Sequence, residues 1–374
     1  MKILINAISA KLGGIVTYTT NLITALERRG VNFQVAVPTN FPDLPHTIRV
    51  KASHYPPLKR LLWEQTVWRH IVRRERPDVL FSSANFGLLL SPVPQLLMIR
   101  EGGLFDPLYL STIAPTLGLR NALFRQLRRR LMLVSAQNND HIITPTSAMR
   151  DMFLAWQPDL ADRCSVNPYG TLTDTFRPVE RRPWRADGTL RLLYVSVYYP
   201  HKNPSDIVLA CEQLVRDGLP TTLRLTMDLE SIQTFAGSAR DLFHVRRGVE
   251  QGLVQLGPVD YRQLPTAYAT NDVFIFPSIS ETFGHPMVEA MASDIPIVAA
   301  DTSVNREVLG EAALYYTPFR PSELASCLRQ LDQDPALRAT LVTAGRQRAT
   351  AHFDWEQHVD RLMALFDQLT IQPR

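Results

Sequence analysis

The stretch DVFIFPSISETFGHPMVEAM, from Asp272 to Met291, decides the fold of the second half of the chain. Its apolar run at 273–276 is typical of a strand buried in a parallel sheet. Pro286 fits the first position of a helix, because a missing N–H costs no hydrogen bond there. The stretch therefore predicts a buried strand, then a turn, then a helix.

Two carboxylates, Glu281 and Glu289, lie on either side of this turn. Glu281 falls in the loop and Glu289 in the opening turns of the helix. Both could therefore face the crevice at the carboxyl end of the sheet, where open α/β proteins bind ligands. Taken alone, the spacing fits a capping acid followed by a solvated helix glutamate better, because such pairs are frequent in helical proteins. The surrounding sequence is what favours a binding site.

Strand and helix patterns alternate along the whole chain, which implies right-handed crossovers and a parallel sheet. Strands are predicted at 2–8, 33–37, 79–82, 95–99, 141–144, 164–167, 191–197, 222–227, 253–256, 273–276, 297–300 and 313–316. Helices are predicted near 16–29, 61–74, 204–216, 261–269, 286–292 and 322–332.

Length and composition predict two domains. A chain of 374 residues exceeds what one hydrophobic core usually supports. Residues 169–190 change to glycine, proline and scattered charges, a texture typical of a linker. We expect an α/β fold of two doubly wound, Rossmann-like domains that face a central crevice. The expected domains are residues 1–175 and 176–355.

The composition also excludes several classes of protein. Hydrophobic residues make up 45% and charged residues 20%, which argues against disorder and fibres. The three cysteines are far apart, which argues against a disulfide framework or a thiolate metal site. Residues 1–7 lack the pattern of a secretory signal, and no apolar stretch reaches the length of a membrane span. We expect a cytoplasmic location and no metal or other cofactor.

Positive charge is concentrated in two amphipathic segments, 59–76 and 107–139, and the second contains no acidic residue. Either segment could lie peripherally on the anionic inner face of a membrane. An ordinary solvated helix face explains each of them equally well. Nucleic acid is not expected as a partner, because no recognised binding motif accompanies the charge.

Three predicted helix starts could approach one ligand. Gly13 and Gly14 follow the first predicted strand, and glycines there let backbone N–H groups come close to a phosphate or a sugar. In the second half, Asn203 suits an N-cap and Pro204 the first helical position, which puts Lys202 just outside a helix. Its ammonium suits phosphate oxygens, although an ordinary exposed lysine fits equally well. The third start follows Gly284.

These segments resemble the retaining glycosyltransferases of family 4, also called glycosyl transferase group 1, which have the GT-B fold. The resemblance is strongest over 190–331 and is carried by the stretch 276–291, by 295–300 and by 307–310. Lys202 matches the phosphate lysine of the family. The segment 166–170 matches the family's pre-linker turn. The segment 353–356 resembles its C-terminal crossing, which implies that a C-terminal helix, 356–374, packs back on the first domain.

The resemblance implies a role for each site residue. Glu281 would contact hydroxyls of the donor sugar and Glu289 the ribose of the nucleotide, and the backbone at Phe283 and Gly284 would touch sugar or phosphate. Lys202 would neutralise the diphosphate, and Gly14 would approach the donor from the other domain. The implied activity is transfer of a hexose or deoxyhexose from a nucleotide diphosphate sugar to a saccharide acceptor that is linked to a lipid. The implied role is the synthesis of surface polysaccharide or lipopolysaccharide.

The chain departs from the family pattern at two places. Val197 stands where many members have an arginine, and the first-domain histidine is missing near Arg100 and Glu101. Arg100 would then face phosphate and Glu101 a hydroxyl, or the two would belong to a buried structural ion pair. The alternative function is a catalytically impaired GT-B subunit that binds or acts as a scaffold.

Overall fold

The computed structural model describes residues 1–11, 13–171, 173–176 and 180–371, which form two compact units. The first unit comprises 1–105, 123–168 and 355–374, and the second comprises 106–122 and 169–354. We placed the domain boundary after residue 175, whereas the contacts place it after residue 168. They also assign 106–122 to the second unit, although strands of the first unit precede and follow this segment.

The first unit contains a seven-stranded parallel sheet with the strand order β3-β2-β1-β4-β5-β6-β7. The strands are β1 (Lys2–Asn6), β2 (Asn32–Pro38), β3 (Thr47–Val50), β4 (Val79–Ser82), β5 (Gln95–Met98), β6 (His141–Thr144) and β7 (Cys164–Val166). The order runs one way from β1 to β3 and the other way from β4 to β7. The sheet therefore has its topological switch point between β1 and β4.

The helices between these strands are α1 (Gly14–Arg28), α2 (Pro57–Trp63), α3 (Arg69–Glu75), α4 (Pro107–Thr112), α5 (Leu119–Gln137) and α6 (Ser147–Leu154). We predicted one helix over 61–74. The structure instead begins α2 at Pro57, a residue suited to a first turn, and joins α2 to α3 by a π-helical turn, Glu64–Trp68. The basic segment 107–139 contains both α4 and α5.

The second unit contains a six-stranded parallel sheet with the order β10-β9-β8-β11-β12-β13. Its strands are β8 (Leu190–Tyr194), β9 (Thr221–Leu225), β10 (Val254–Leu256), β11 (Val273–Phe276), β12 (Ile297–Ala300) and β13 (Ala313–Tyr316). Its later helices are α7 (Pro204–Arg216), α8 (Leu229–Gln233), α9 (Ala239–Glu250), α10 (Leu264–Thr270), α11 (His285–Ala292), α12 (Ser303–Leu309), α13 (Pro321–Gln333) and α14 (Pro335–His352). The predicted fold class of two doubly wound α/β domains is confirmed.

The last helix, α15 (Trp355–Ile371), belongs to the first unit. Arg29, which follows α1, binds Glu356 at 2.5 Å and Asp360 at 2.7 Å. The Tyr18 hydroxyl lies 3.0 Å from His358 Nε2. Residues 372–374 of the predicted helix 356–374 lie outside the described residues. None of the described helices combines the length and apolar character that crossing a bilayer requires.

The predicted linker, 169–190, is part of the second unit where it is described. Arg181 donates hydrogen bonds to the carbonyl oxygens of Asn271, at 2.8 Å, and Tyr268, at 3.0 Å. Trp184 Nε1 donates to Asp332 Oδ1 at 3.0 Å. Proline and glycine therefore mark an irregular segment that is anchored to a folded unit. Residues 172 and 177–179 lie outside the described residues.

Candidate functional site

Lys202 and Glu281 meet at the switch point of the second sheet. Strands β8 and β11 are neighbours there, and the strand order reverses between them. Lys202 ends a 3₁₀ turn after β8, and Glu281 lies in the loop after β11, so both follow the carboxyl ends of adjacent strands. Lys202 Nζ donates a hydrogen bond to Glu281 Oε1. The side chains are 14% and 12% exposed, so this is a largely buried ion pair.

The charges at this pair follow from burial and from the partner. Burial alone would raise the pKa of Glu281, but the Lys202 ammonium, aided by the His201 ring and hydrogen bonding, lowers it below its usual value. Burial and the neighbouring Lys202 lower the pKa of His201 to about 4. At neutral pH the site therefore holds a carboxylate, an ammonium and a neutral imidazole.

The backbone at Gly284 requires glycine. Its φ is +83°, and it forms the N-cap of α11. A Cβ there would lie 2.7 Å from the Met287 methyl carbon and 3.1 Å from the Phe276 ring. The ring of Phe283 is buried and packs edge-on against Tyr169 and Phe353, with centroids 5.2 and 5.4 Å apart. The Phe283 side chain therefore packs inside the second unit and is not available to a ligand.

The N-termini of α7 and α11 differ in whether a protein side chain already binds their backbone N–H groups. At α7, the Ser205 N–H donates to Asp241 Oδ1 at 3.3 Å, so a buried carboxylate already lies at this helix end. Asn203 precedes the helix as predicted, but its side chain does not cap it and binds Asp206 at 2.7 Å instead. The α11 start has glycine as its N-cap residue, which has no side chain to cap the helix. It is therefore the better anion site of the two.

Glu289 is a buried residue of α11, with 5% of its surface exposed. The Tyr268 hydroxyl donates a hydrogen bond to its Oε2 at 3.2 Å. Burial raises the pKa of Glu289 to about 7, although the bond from Tyr268 acts in the opposite direction. A solvated helix glutamate is therefore the wrong interpretation of Glu289. A capping acid is equally wrong for Glu281, because the N-cap of α11 is Gly284.

The predicted residues of the first unit lie near the carboxyl ends of β1 and β5. Gly14 is the first residue of α1 and is exposed. The backbone N–H of Arg100 donates to Asn85 Oδ1 at 2.8 Å, and its guanidinium lies 5.4 Å from the centre of the Tyr18 ring. Glu101 forms a two-pronged ion pair with Arg128 of α5, at 2.6 and 2.7 Å. We considered contact with a hydroxyl group or a buried ion pair for Glu101. The structure contains an ion pair, with Arg128 as the partner, and both side chains are about one-third exposed.

Sequence reasoning missed the partners of these residues. Tyr268 and Asp241 carry no motif, and only the packing of α10 on α11 and of α9 on α7 brings them to Glu289 and Ser205. A signal for Arg128 was present, because the basic segment 107–139 contains no acid. Any carboxylate partner of its arginines therefore had to come from elsewhere in the chain.

Comparisons with known proteins identify the family of each half of the chain. Residues 176–348 match the family of glycosyl transferases group 1, and residues 12–174 match Glycosyltransferase Family 4. The O-antigen chain mannosyltransferase B of Escherichia coli is 30% identical over 167 residues, which cover 44% of this chain and 42% of that protein. The chain spans about half the length of the curated relatives it matches.

Solved structures share the whole fold. Sucrose-phosphate synthase from Thermosynechococcus elongatus superposes with a TM-score of 0.79 at 21% identity, and the match covers 99% of both chains. HepE from Anabaena, solved in complex with UDP-glucose, superposes with a TM-score of 0.76 at 18% identity, over 99% of this chain and 100% of that one. With one family match on each unit and these structural neighbours, the chain belongs to the group 1 glycosyltransferases of GT-B fold.

Proposed function

We propose that this protein transfers a hexose or deoxyhexose from a nucleotide diphosphate sugar to a saccharide acceptor that is lipid-linked, with retention at the anomeric carbon. The observation that carries the proposal is the buried Lys202–Glu281 pair at the β8/β11 switch point. An ammonium and a carboxylate side by side suit a ligand that presents phosphate oxygens next to sugar hydroxyls. A nucleotide sugar has both groups.

In this proposal the bond from the anomeric carbon to the diphosphate oxygen breaks, and its electron pair leaves with the nucleoside diphosphate. Lys202 and the N-terminal end of α11 stabilise that charge, so the step requires no metal ion. The acceptor hydroxyl attacks on the same face of the sugar, and its proton passes to an oxygen of the departing phosphate. Glu281 holds hydroxyls of the donor sugar, so no side chain has to act as a nucleophile.

The relatives support the general class of reaction. They include a mannosyltransferase of O-antigen chains and a phosphatidyl-myo-inositol mannosyltransferase, and the structural neighbour HepE was solved with UDP-glucose. These activities belong to those proteins. For this chain they support a role in the synthesis of a polysaccharide or a glycolipid.

A screen of nucleotide sugars tests this proposal. We expect the purified chain to release nucleoside diphosphate from one or a few donors, and faster when glycolipid acceptors are added. The anomeric configuration of the product, read by NMR, should equal that of the donor, and an inverted product would rule out retention. If the chain binds a donor but releases no nucleotide under any condition, the result would instead favour a scaffold subunit. That alternative is motivated by Val197, which stands where many family members have an arginine.

We expect the Glu289 carboxyl group to release a proton when the donor binds. Its pKa is raised to about 7 by burial, so the carboxyl is partly protonated at neutral pH. Ribose hydroxyls donate hydrogen bonds to the ionised form and favour it. Donor affinity should therefore fall as the pH drops below 7, by up to about tenfold per pH unit, and level off above it.

Calorimetric titration with a nucleotide sugar, in buffers of different ionisation enthalpy between pH 6 and 8, measures this release. A nucleotide sugar has no phosphate group that titrates in that range, and His201 titrates near pH 4. The matched variant Glu289→Gln should bind without releasing the proton. Equal proton release by both proteins would refute the assignment of Glu289.

A further inference from the structure

The direction of the backbone N–H groups at the start of α11 depends on how Gly284 is held. Glycine has no side chain that could fix its backbone, and Gly284 adopts a φ of +83°. Pro286 has no N–H group, and the Met287 N–H donates to the Gly284 carbonyl oxygen at 2.9 Å. The two N–H groups nearest the helix end belong to Gly284 and His285. Their direction is therefore set by the residues on either side of Gly284, which are Phe283 and His285.

One buried ring contacts both of these residues. The Tyr169 ring is stacked on the His285 ring, with centroids 5.1 Å apart and an angle of 8° between the two planes. The same ring packs edge-on against Phe283, with centroids 5.2 Å apart. Both arrangements are favourable geometries for aromatic pairs. Tyr169 therefore joins the residue before Gly284 to the residue after it.

A second ring packs on Phe283 from the end of α14. Phe353 is buried, follows the last residue of α14, and lies edge-on to Phe283 with centroids 5.4 Å apart. Helix α14 itself packs closely along α11, because a Cβ on Gly345 would lie 3.3 Å from Met291 Cγ. The position of the Phe353 ring is therefore fixed by the helix that supports α11.

Tyr169 and Phe353 belong to the two ends of the part of the second unit that contains the site. The chain enters this part, 169–354, at Tyr169 and leaves it after Asp354. We call 169–171 and 353–354 the crossing segments. The Thr171 N–H donates to the Phe353 carbonyl oxygen at 2.9 Å, and Thr171 forms a parallel bridge with Asp354. The crossing segments are therefore paired with each other, and each places one ring on Phe283.

We propose that Tyr169 and Phe353 are positioning residues that couple the diphosphate site at the start of α11 to the pairing of the crossing segments. The inference rests on the proposed function, whose donor site it specifies. Neither residue touches the substrate. Their rings fix the residues on either side of Gly284, so that the N–H groups there point toward phosphate. Because coupling between two sites is reciprocal, a bound diphosphate should in turn stabilise the pairing of the crossing segments.

The affinities for a nucleoside diphosphate and for the nucleoside alone test the effect of the rings on the site. The probes are UDP with uridine and GDP with guanosine, titrated into the full chain by ligand-detected NMR. Tyr169→Leu should lower the affinity for the diphosphate about tenfold and leave the affinity for the nucleoside unchanged, because only phosphate uses the start of α11. Phe353→Leu should act in the same direction. Tyr169→Phe keeps the ring and should bind both probes like the parent protein.

A matched variant separates positioning from a general loss of stability. Phe153 of α6 is a buried ring of the first unit that packs edge-on against Phe105, with centroids 5.6 Å apart. Phe153→Leu should lose unfolding free energy as Tyr169→Leu does, but it should keep the parent ratio of diphosphate to nucleoside affinity. If Tyr169→Leu does not fold, Phe353→Leu supplies the same comparison.

Hydrogen exchange of the parent protein tests the reciprocal effect. A saturating diphosphate should slow exchange of the Thr171 amide, which donates to Phe353, by about fivefold or more. The Gly252 amide, which donates to the Val249 carbonyl oxygen at 3.0 Å in a turn of the same unit, should not respond. In Tyr169→Leu, saturated with the diphosphate, the protection of Thr171 should be lost.

The outcomes distinguish this inference from the proposed function. Suppose that the parent protein binds a diphosphate. Equal losses for diphosphate and nucleoside in Tyr169→Leu, the same affinity ratio as in Phe153→Leu, or unchanged exchange at Thr171 would then overturn the coupling alone. If the parent protein binds neither diphosphate, the proposed function is refuted, and this inference with it.

Discussion

Replacing Glu281 by glutamine is expected to lower the rate of sugar transfer by about 100-fold or more. The side chain keeps its size, but it loses the charge that pairs with Lys202. In the proposed reaction the same charge accepts hydrogen bonds from hydroxyl groups of the donor sugar. Glutamine offers one acceptor oxygen and turns an N–H₂ donor toward the ammonium or the sugar. The reaction depends on alignment of the sugar against the leaving group, so the loss should appear in kcat.

The affinity for nucleoside diphosphate should not fall in Glu281→Gln, in contrast to the rate of transfer. In the folded protein the Lys202 ammonium binds the Glu281 carboxylate. In the proposed complex that carboxylate would compete with phosphate for the ammonium. Removing its charge frees Lys202, so Glu281→Gln should bind nucleoside diphosphate as tightly as the parent protein or more tightly. Initial rates and calorimetry measure the two effects, and Glu311→Gln, an exposed carboxylate of the same unit, is the control. Unchanged turnover in Glu281→Gln would refute the role of this residue.

Replacing Lys202 by methionine is expected to affect both stability and binding. Methionine keeps most of the apolar stem but leaves the Glu281 carboxylate buried without its cation. Breaking such a pair costs about 3 kcal/mol of unfolding free energy at neutral pH. Affinity for nucleoside diphosphate should fall by about tenfold or more, because a charge-assisted hydrogen bond to phosphate is lost.

The pH dependence of the unfolding free energy distinguishes the loss of the ion pair from a general packing defect. In the parent protein the pKa of Glu281 lies below its usual value, so the pair stabilises the fold at neutral pH and loses this effect only at acidic pH. Without Lys202, burial raises that pKa instead, and protonation relieves the cost as the pH falls. The difference in unfolding free energy between the parent protein and Lys202→Met should therefore be largest near pH 7 and decrease toward pH 5.

The double variant Lys202→Met/Glu281→Gln removes both charges and supplies the decisive control. It should recover most of the unfolding free energy that Lys202→Met loses, while sugar transfer stays about 100-fold or more below that of the parent protein. Denaturant unfolding of the three proteins and of Lys51→Met, at pH 7 and pH 5, provides the comparison. If the double variant is as unstable as the single one, the ion pair does not explain the loss.

Much of the fold could be predicted because its signals are local. Each predicted strand is present, with ends that differ by a few residues, because buried parallel strands are short apolar runs. The half-exposed strand β3 (Thr47–Val50) was missed, because it lacks such a run. Pro204 and Pro286 placed the starts of α7 and α11 correctly to within one residue, because the chemistry of a first turn depends on few residues.

The sequence by itself determined the two-domain α/β fold and the identity of Lys202, Glu281, Gly284 and Glu289 as candidates. Tertiary structure alone decided what each of them contacts. Lys202 and Glu281 are 79 residues apart and meet because β8 and β11 are neighbours. Glu101 pairs with Arg128 and Glu64 lines a cavity in the first unit, and Glu289 accepts from Tyr268 in the second, because separate elements pack together within each unit. Local patterns encode the elements, but strand order and helix packing decide which side chains come together, and burial then sets their charge.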